Sequence, residues 1–527
     1  MNQIYLLGID NGTTTTKATI FDIEGNEIAS AGSREVRTIH PEPGWAEQSM
    51  EEIWQATVSA IRAVLESSKV PPGGIASISL SGHGGGVWLL DKKGKPVRNA
   101  IIWLDGRAKP ILDDWNQQGL LPKMYDLSGW NLFAGMGPVT IFPWLKKHEP
   151  ESLKNACVNL TSKDWVKYCL TGEFSSDYSM ASVALIDFKT LAYSPDLLKM
   201  AGISEYEHLL ANLIPAWEVA GKVTHKAAEL TGLKEGTPVS GGAFDGASST
   251  LGAGCYNVGQ ASSNIATAGV HAVLSAEPSL DPDRIYSLMC HTVPGVFYKT
   301  SMTMVAAGNL DWFEREFCAV ERESAKKRGI SSYDVINEEI AKIPLGSSGV
   351  IYLPFLQGER APFVKPEARG LFFGLGDWHT RAHLAKAVFE GVALSSRHNI
   401  DAMIKIGRLD TLFVSGGGSK SPIWCQIIAD CVGSRIKVPE GGDAGSRGAA
   451  INAGVAVGVF KDHGEGVSKM VKITREYNPD EKNMQKFDQI YKLYTHLIAA
   501  AWPLWEESSK AGIESWGIDS KKQNKEI

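Results

Sequence analysis

Each half of this chain opens on an apolar run that breaks at a turn rich in threonine and glycine and returns as a second apolar run. In the first half, Leu6–Ile9 and Ala18–Phe21 enclose Asp10, Asn11, Gly12, the threonines Thr13, Thr14, Thr15 and Thr16, and Lys17. In the second, Gln260–Ile265 leads through Thr267 and Gly269 to Val270–Leu274. The likeness is loose, but its place at the head of both halves suggests a duplicated α/β unit. Length agrees, because 527 residues exceed what a single core usually supports.

Asn11-Gly12 predicts a tight hairpin turn, since both residues tolerate positive φ and β-formers flank them. The threonines would then stand where backbone N–H groups and hydroxyls grip phosphate oxygens, with Asp10 at the strand end for a hydrated metal ion and Lys17 for charge. A plain surface hairpin accounts for the same residues equally well.

Glu27–Ser33 reads as a third strand of a meander, Met50–Ser67 as a helix, and Ile75–Ser81, Val87–Leu90 and Ile101–Leu104 as further strands. Near the middle, Thr237–Gly246 is a short strand running into a glycine-rich turn that carries Asp245, followed by the small-residue segment Ala247–Gly254. Farther on, Leu412–Val414 is a strand, Ser415–Pro422 a glycine-rich loop, and the residues up to Cys431 a helix capped by Ser421, started by Pro422 and ended by Gly433. Glycines bringing backbone close to a ligand at a helix N-terminus suit a nucleotide, although short strand-to-helix turns use the same residues. The spacing is not that of a Walker loop.

A net charge of −6 argues against a general nucleic-acid or anionic-membrane surface and favours small-molecule chemistry. Seven scattered cysteines with no Cys-x-x-Cys spacing fit reduced thiols in a cytoplasm. No export signal is read at the amino terminus, and no run of about 18 apolar residues suggests a membrane span.

The opening hairpin, the Phe244-Asp245-Gly246 turn, the Thr267 hairpin and the Gly416–Pro422 loop, in that order, resemble the FGGY carbohydrate kinases over roughly residues 4 to 500. Pro43–Gln48, Trp103–Arg107, Leu353–Pro362, Ala368–Gly370 and Ala449-Ala450 add to the likeness. The resemblance implies two actin-like (ribonuclease-H-like) α/β ATPase domains with ATP, magnesium and sugar in a catalytic cleft between them. The first would span 1–254 and carry the sugar side, the first phosphate hairpin and the catalytic Asp. The second would span 255–510 and carry the nucleotide side, with 511–527 a polar tail that frays at its end. Carried over position by position, Asp245 becomes the general base and Asp10 holds magnesium through water. Thr13, Thr14, Thr15 and Lys17 approach the β- and γ-phosphates, Thr267 and Gly308 contact phosphate from the second domain, and Gly417 and Ser421 line the adenosine pocket. A homodimer is compatible with the likeness.

Substrate choice falls to Ser79–Asp91. Glycerol kinases carry Arg-Glu, and D-xylulose kinases Met-His, where this chain has Gly84-Gly85, two glycines expected to leave space and let backbone read the sugar. His83 is a candidate for a substrate hydrogen bond, or a residue packed against its loop. Trp103, Asp105 and Arg107 either line the sugar side or, in the case of Asp105 and Arg107, form a salt bridge that shapes the loop. The expected activity is phosphorylation of a primary hydroxyl on a small ketose or polyol, foremost of the D- or L-xylulose type or a related keto-sugar. Erythritol, autoinducer-2 and glycerol are alternatives, and an actin- or Hsp70-like nucleotide switch is the rival of another class.

Overall fold

The computed structural model describes residues 3–405, 407 and 409–512; of the expected polar tail, all but Ala511 and Gly512 lies outside the described residues. The chain divides into two compact units. The first comprises Met1–Gln260, Ala272–Thr300 and Pro439–Thr474, and the second comprises Ala261–His271, Ser301–Val438 and Arg475–Ile527.

The first unit is built on a seven-stranded mixed sheet. Its order is Val219–Lys222, Pro238–Ser240, Ile75–Gly82, Tyr5–Asn11, Thr16–Asp22 and Glu27–Gly32, with Ala243–Phe244 beside the end of Ile75–Gly82. Tyr5–Asn11 pairs antiparallel with Thr16–Asp22 and parallel with Ile75–Gly82. Alternation along the first strand decides what lies on each face. Leu7 and Ile9 join Ile53, Trp54, Ile61 and Val64 in one core, whereas Leu6 packs with Leu251, Ala450, Ile451 and Phe460 on the other face. The Met50–Ser68 helix covers the first face; Ser49 caps it by accepting from the Glu52 N–H, and Glu51 and Glu52 sit in its first turn.

The opposite face is covered by two helices of small residues, Asp245–Gly252 and Ala444–Ala456. Glycine is required where they meet the strand and each other. A Cβ at Gly8 would lie 1.9 Å from the Ser446 carbonyl oxygen, and one at Gly448 would lie 1.9 Å from that of Ser248.

Two local expectations are corrected. Neither Asn11 nor Gly12 has positive φ. Asn11 remains in the strand, where its side-chain amide donates to Thr16 Oγ1 at 2.8 Å, and Gly12–Thr15 form a four-residue loop closed by a hydrogen bond from Gly12 N to Thr15 O at 3.1 Å. The strand expected over Ile101–Leu104 stops at Ile101, because the chain turns at Trp103-Leu104.

The second unit holds the strand segments 301–303, 269–271, 261–265, 411–415, 435–438 and 475–477, which belong to strands that are neighbours in that order. Helices Gly308–Phe317, Arg381–Ile404, Pro422–Val432 and Glu481–Lys510 pack in succession, the first and third against the second and the fourth against the third. Glu390, on the second of these, is 3% exposed. Its carboxylate accepts from Gly346 N at 3.0 Å and from Ser347 Oγ at 2.8 Å. Burial pushes its pKa up to about 7, and those two bonds and Lys386 offset only part of that rise. The folded state therefore holds the proton more tightly than the unfolded chain, so this contribution to stability is present below the ordinary glutamate pKa and is lost as pH rises through about 7. Glu390→Gln is expected to remove on the order of 1–3 kcal/mol of that loss between pH 5 and 8. Thermal melts of both proteins at each pH test this, and parallel pH dependences would refute it.

Candidate functional site

The candidate residues of the first unit gather at the carboxyl ends of parallel strands, the usual ligand edge of an α/β sheet. Asp10 stands opposite Ser81, and on the other side of the same strand Ala243 and Phe244 stand opposite Ser81 and Gly82. Asp10 and Asp245 thus flank the end of Ile75–Gly82, and His83, Gly84 and Gly85 follow directly from it.

Asp10 and Asp245 are each half-buried. Burial, reinforced by the charge of Asp443, pushes the Asp10 pKa up to about 6, with a hydrogen bond from Ser81 and the charge of Lys17 opposing. Burial and then the charge of Asp10 push Asp245 up to about 7, against a 2.6 Å hydrogen bond from Gly246 N. Asp245 is the first residue of the Asp245–Gly252 helix.

The Gly12–Thr15 loop is held from behind. Gln48 Nε2 donates to the Thr13 carbonyl at 2.7 Å and Val36 N to that of Thr14 at 2.7 Å. Thr14 and Thr15 are exposed, and Thr13 is half-buried with its hydroxyl accepting from Trp103 Nε1 at 2.9 Å. Lys17, opposite Asp10 in the hairpin register, lies 3.8 Å from Asp443.

Asp443 and Gly445 are the residues the sequence reading missed. Asp443 caps the Ala444–Ala456 helix by accepting from Ser446 N, and a Cβ at Gly445 would lie 2.9 Å from Asp10 Cγ. The first turn of a second helix therefore faces Asp10 and contributes partial positive charge there. Gly441-Gly442-Asp443-Ala444-Gly445-Ser446 has the composition of a capped helix start, but nothing in it says which strand it meets.

The sugar-side residues depart from expectation in one respect. Gly84 and Gly85 do not leave space. A Cβ at Gly84 would lie 2.7 Å from the Phe244 ring, and one at Gly85, where φ is +78°, would lie 3.0 Å from the Gly135 carbonyl and 3.1 Å from Trp103 Cβ. Nor do the glycines around Asp245 leave room, since a Cβ at Gly246 would meet the Phe244 ring at 2.8 Å and the Tyr298 hydroxyl at 3.0 Å. These glycines let an aromatic wall close in. His83 is 5% exposed, and burial lowers its pKa to about 4, so the ring is neutral at pH 7. Of the two arrangements left open for Asp105, the salt bridge is present. Asp105 Oδ1 accepts from Arg107 N and Nε, both at 2.9 Å, while Oδ2 accepts from Ala46 N at 2.6 Å.

In the second unit, Thr267 and Gly308 come together. The Thr267 carbonyl accepts from Ala306 N at 2.7 Å and Gly308 N at 3.3 Å, at the start of the Gly308–Phe317 helix. The glycine loop meets the same hairpin, since a Cβ at Gly418 would lie 2.7 Å from Ile265 Cγ2, whereas Gly417 has nothing within 4 Å of its Cβ position. Ser421 caps Pro422–Val432 as expected, accepting from Trp424 N at 3.2 Å, and donates to Asn337 Oδ1 at 2.8 Å.

The donor chemistry fits a magnesium nucleotide. Among the described residues no three His, Cys, Asp or Glu side chains converge as a closed metal cage. Asp10, its charge raised in cost by burial and by Asp443, suits the other mode, in which magnesium keeps waters and takes its remaining ligands from phosphate.

Comparison with known proteins follows the same line. The model of the N-terminal domain of the FGGY family of carbohydrate kinases matches residues 5–252, and that of its C-terminal domain matches residues 263–457. The chain is 35% identical to the L-xylulose/3-keto-L-gulonate kinase of Escherichia coli strain K12 over 94% of this chain and 97% of that protein. Among solved structures, a gluconate kinase from Lactobacillus acidophilus superposes with a TM-score of 0.84 at 25% identity, over 95% of this chain and 98% of that one. A xylulose kinase from Rhodospirillum rubrum gives 0.83 at 27% identity, over 95% of this chain and 100% of that one.

Proposed function

Because the chain belongs to the FGGY family of carbohydrate kinases, we propose that it transfers the γ-phosphoryl group of ATP to a primary hydroxyl of a small open-chain ketose of the xylulose type, with Asp245 as general base. The observation that supports this reading best is the Asp245 carboxylate at the sheet's ligand edge, raised to about 7 beside Asp10, with the Phe244 ring packed against the neighbouring Gly246. A base with a pKa near the working pH is suited to taking a proton from an alcohol.

ATP supplies the phosphoryl group, and magnesium, held through water by Asp10, offsets the charge that develops on it. The exposed Thr14 and Thr15, together with Thr13 and Lys17, bind phosphate oxygens. Thr267 and Gly308 contact phosphate from the second unit, and Gly417 and Ser421 line the adenosine side. His83 and Trp103 touch the sugar, and the backbone of Gly84-Gly85 lines its pocket. Asp105 acts from behind, fixing the loop through Arg107. Two features favour a keto-sugar over glycerol: Gly84-Gly85 stand where glycerol kinases carry a charged pair, and the 35% identity is to a kinase named for L-xylulose and 3-keto-L-gulonate.

Among the described residues no helix is long and apolar enough to cross a membrane. The seven unpaired cysteines and the use of ATP support a cytoplasmic setting. A homodimer is the assembly we would test first, by sedimentation.

The deciding experiment is a coupled ADP assay over D- and L-xylulose, ribulose, 3-keto-L-gulonate, gluconate, erythritol, glycerol and autoinducer-2, ranked by kcat/KM. A xylulose-type sugar is expected to lead glycerol and gluconate by about a hundredfold or more. Glycerol or gluconate at the head of the ranking would overturn the substrate assignment.

A further inference from the structure

Beneath the turn that delivers Asp245 lies a cluster of four buried charges. Lys163, Asp164 and Lys167 are fully buried, and Asp177 is 1% exposed. Asp164 Oδ1 accepts from Lys163 Nζ at 2.6 Å and Lys167 Nζ at 2.9 Å, and its Oδ2 accepts from Thr161 Oγ1 and Ser176 Oγ, both at 2.7 Å. Asp177 Oδ1 lies 3.0 Å from Lys163 Nζ. Burial alone would raise the Asp164 pKa, but Lys163 and Lys167 outweigh it and hold the carboxyl below the usual carboxylate range. Burial lowers Lys167 to about 8 against the pull of Asp164.

The cluster does not close on itself. Both ammonium groups also donate to the Gly241 carbonyl, Lys163 at 3.2 Å and Lys167 at 3.0 Å. At the other end of the turn, Phe244 N donates to Ser179 Oγ at 2.9 Å. Ser179 is itself fixed, because its hydroxyl and its N–H both donate to Asp177 Oδ2. Between these anchors, Gly242 has φ of +70° and would place a Cβ 2.6 Å from the Leu80 carbonyl. Four buried charges contribute little net stability, because desolvation offsets much of their attraction. What they do provide is direction, since charge-assisted hydrogen bonds fix the atoms they join. The atoms joined here are the backbone on either side of the turn that ends at Asp245.

We propose that Ser179 and the buried Lys163, Asp164, Lys167 and Asp177 are positioning residues for the base, holding the Gly241–Phe244 backbone so that the Asp245 carboxylate meets the acceptor hydroxyl in line for transfer. This rests on Asp245 being the general base. A shift of about 1 Å in such a group costs on the order of a hundredfold in rate, while binding of the two substrates is spared.

Ser179→Ala is the variant to make, because removing a buried lysine strands a carboxylate and endangers the fold. The expected result is a fall in kcat of about tenfold to a hundredfold with KM for sugar and ATP changed less than about threefold, a near-native melting temperature, and recovery of most of the loss in Ser179→Thr. A kcat within about twofold of the parent overturns the proposal, as does a fall that tracks lost thermal stability or raised KM for both substrates. Asp245→Asn is assayed alongside. If that variant keeps its turnover, the base assignment itself fails; if it is inactive while Ser179→Ala is unaffected, only the positioning role fails.

Discussion

Asp245→Asn is expected to lower kcat by at least about a hundredfold while ATP affinity stays within about twofold. Asparagine preserves the shape of the side chain and its contact with Gly246 N, so the fold at the start of the Asp245–Gly252 helix is kept. What it removes is the proton acceptor, and general-base catalysis contributes about a hundredfold to ten-thousandfold. The pH profile of the unaltered enzyme gives an independent check. In the proposed mechanism the active form is the carboxylate, and burial together with Asp10 raises its pKa to about 7. Activity, measured as kcat/KM, is therefore lost as pH falls through about 7, roughly tenfold for each further unit. An ordinary aspartate would give a flat profile down to about pH 5. Turnover of the variant within about tenfold of the parent, or a flat acid side, would sink the assignment.

Gly8→Ala is expected to cost about 3 kcal/mol or more of stability and to abolish activity with it. The methyl would lie 1.9 Å from the Ser446 carbonyl oxygen, and neither side can yield cheaply. Gly8 is in a strand paired on both edges, and Ser446 is in a helix that also meets Ser248 through Gly448. If the helix retreats, its first turn leaves Asp10, taking Gly445 and Asp443 with it. Denaturant unfolding and a coupled assay on the same preparation test both halves of the claim. A melting shift below about 2 °C would show that the contact relaxes without consequence.

How far the sequence reaches differs from one part of the site to another, for a physical reason in each. Local chemistry was legible: Ser421, Pro422 and Gly433 announce a helix start and stop, and the structure has the cap at Ser421, a helix over Pro422–Val432 and positive φ at Gly433. The meander and the Met50–Ser68 helix follow from apolar spacing alone. Turn geometry was less so. Asn-Gly favours a two-residue turn, yet here the Asn11 amide is tied to Thr16 inside the strand, which pushes the loop out to four residues. Glycines were misread in kind, because an absent side chain can mean either an opening or a close neighbour, and at Gly84 the neighbour is Phe244, far away in sequence. For the same reason Asp443 and Ser179 could not be placed: each matters through a partner that pattern and propensity do not name.

The stretch Pro439–Thr474 belongs to the first unit although the chain has by then built most of the second. On a ribosome, then, the first strands must wait. Until residue 474 or so has left the exit tunnel, Leu6, Phe21 and Leu251 lack the Ala450, Ile451, Phe460 and Met470 that cover them, and the strand carrying Asp10 has one bare greasy face. A nascent or prematurely ended chain is thus a natural client for a chaperone, and the half of the molecule that carries Asp10 and Asp245 is completed among the last events of synthesis rather than the first.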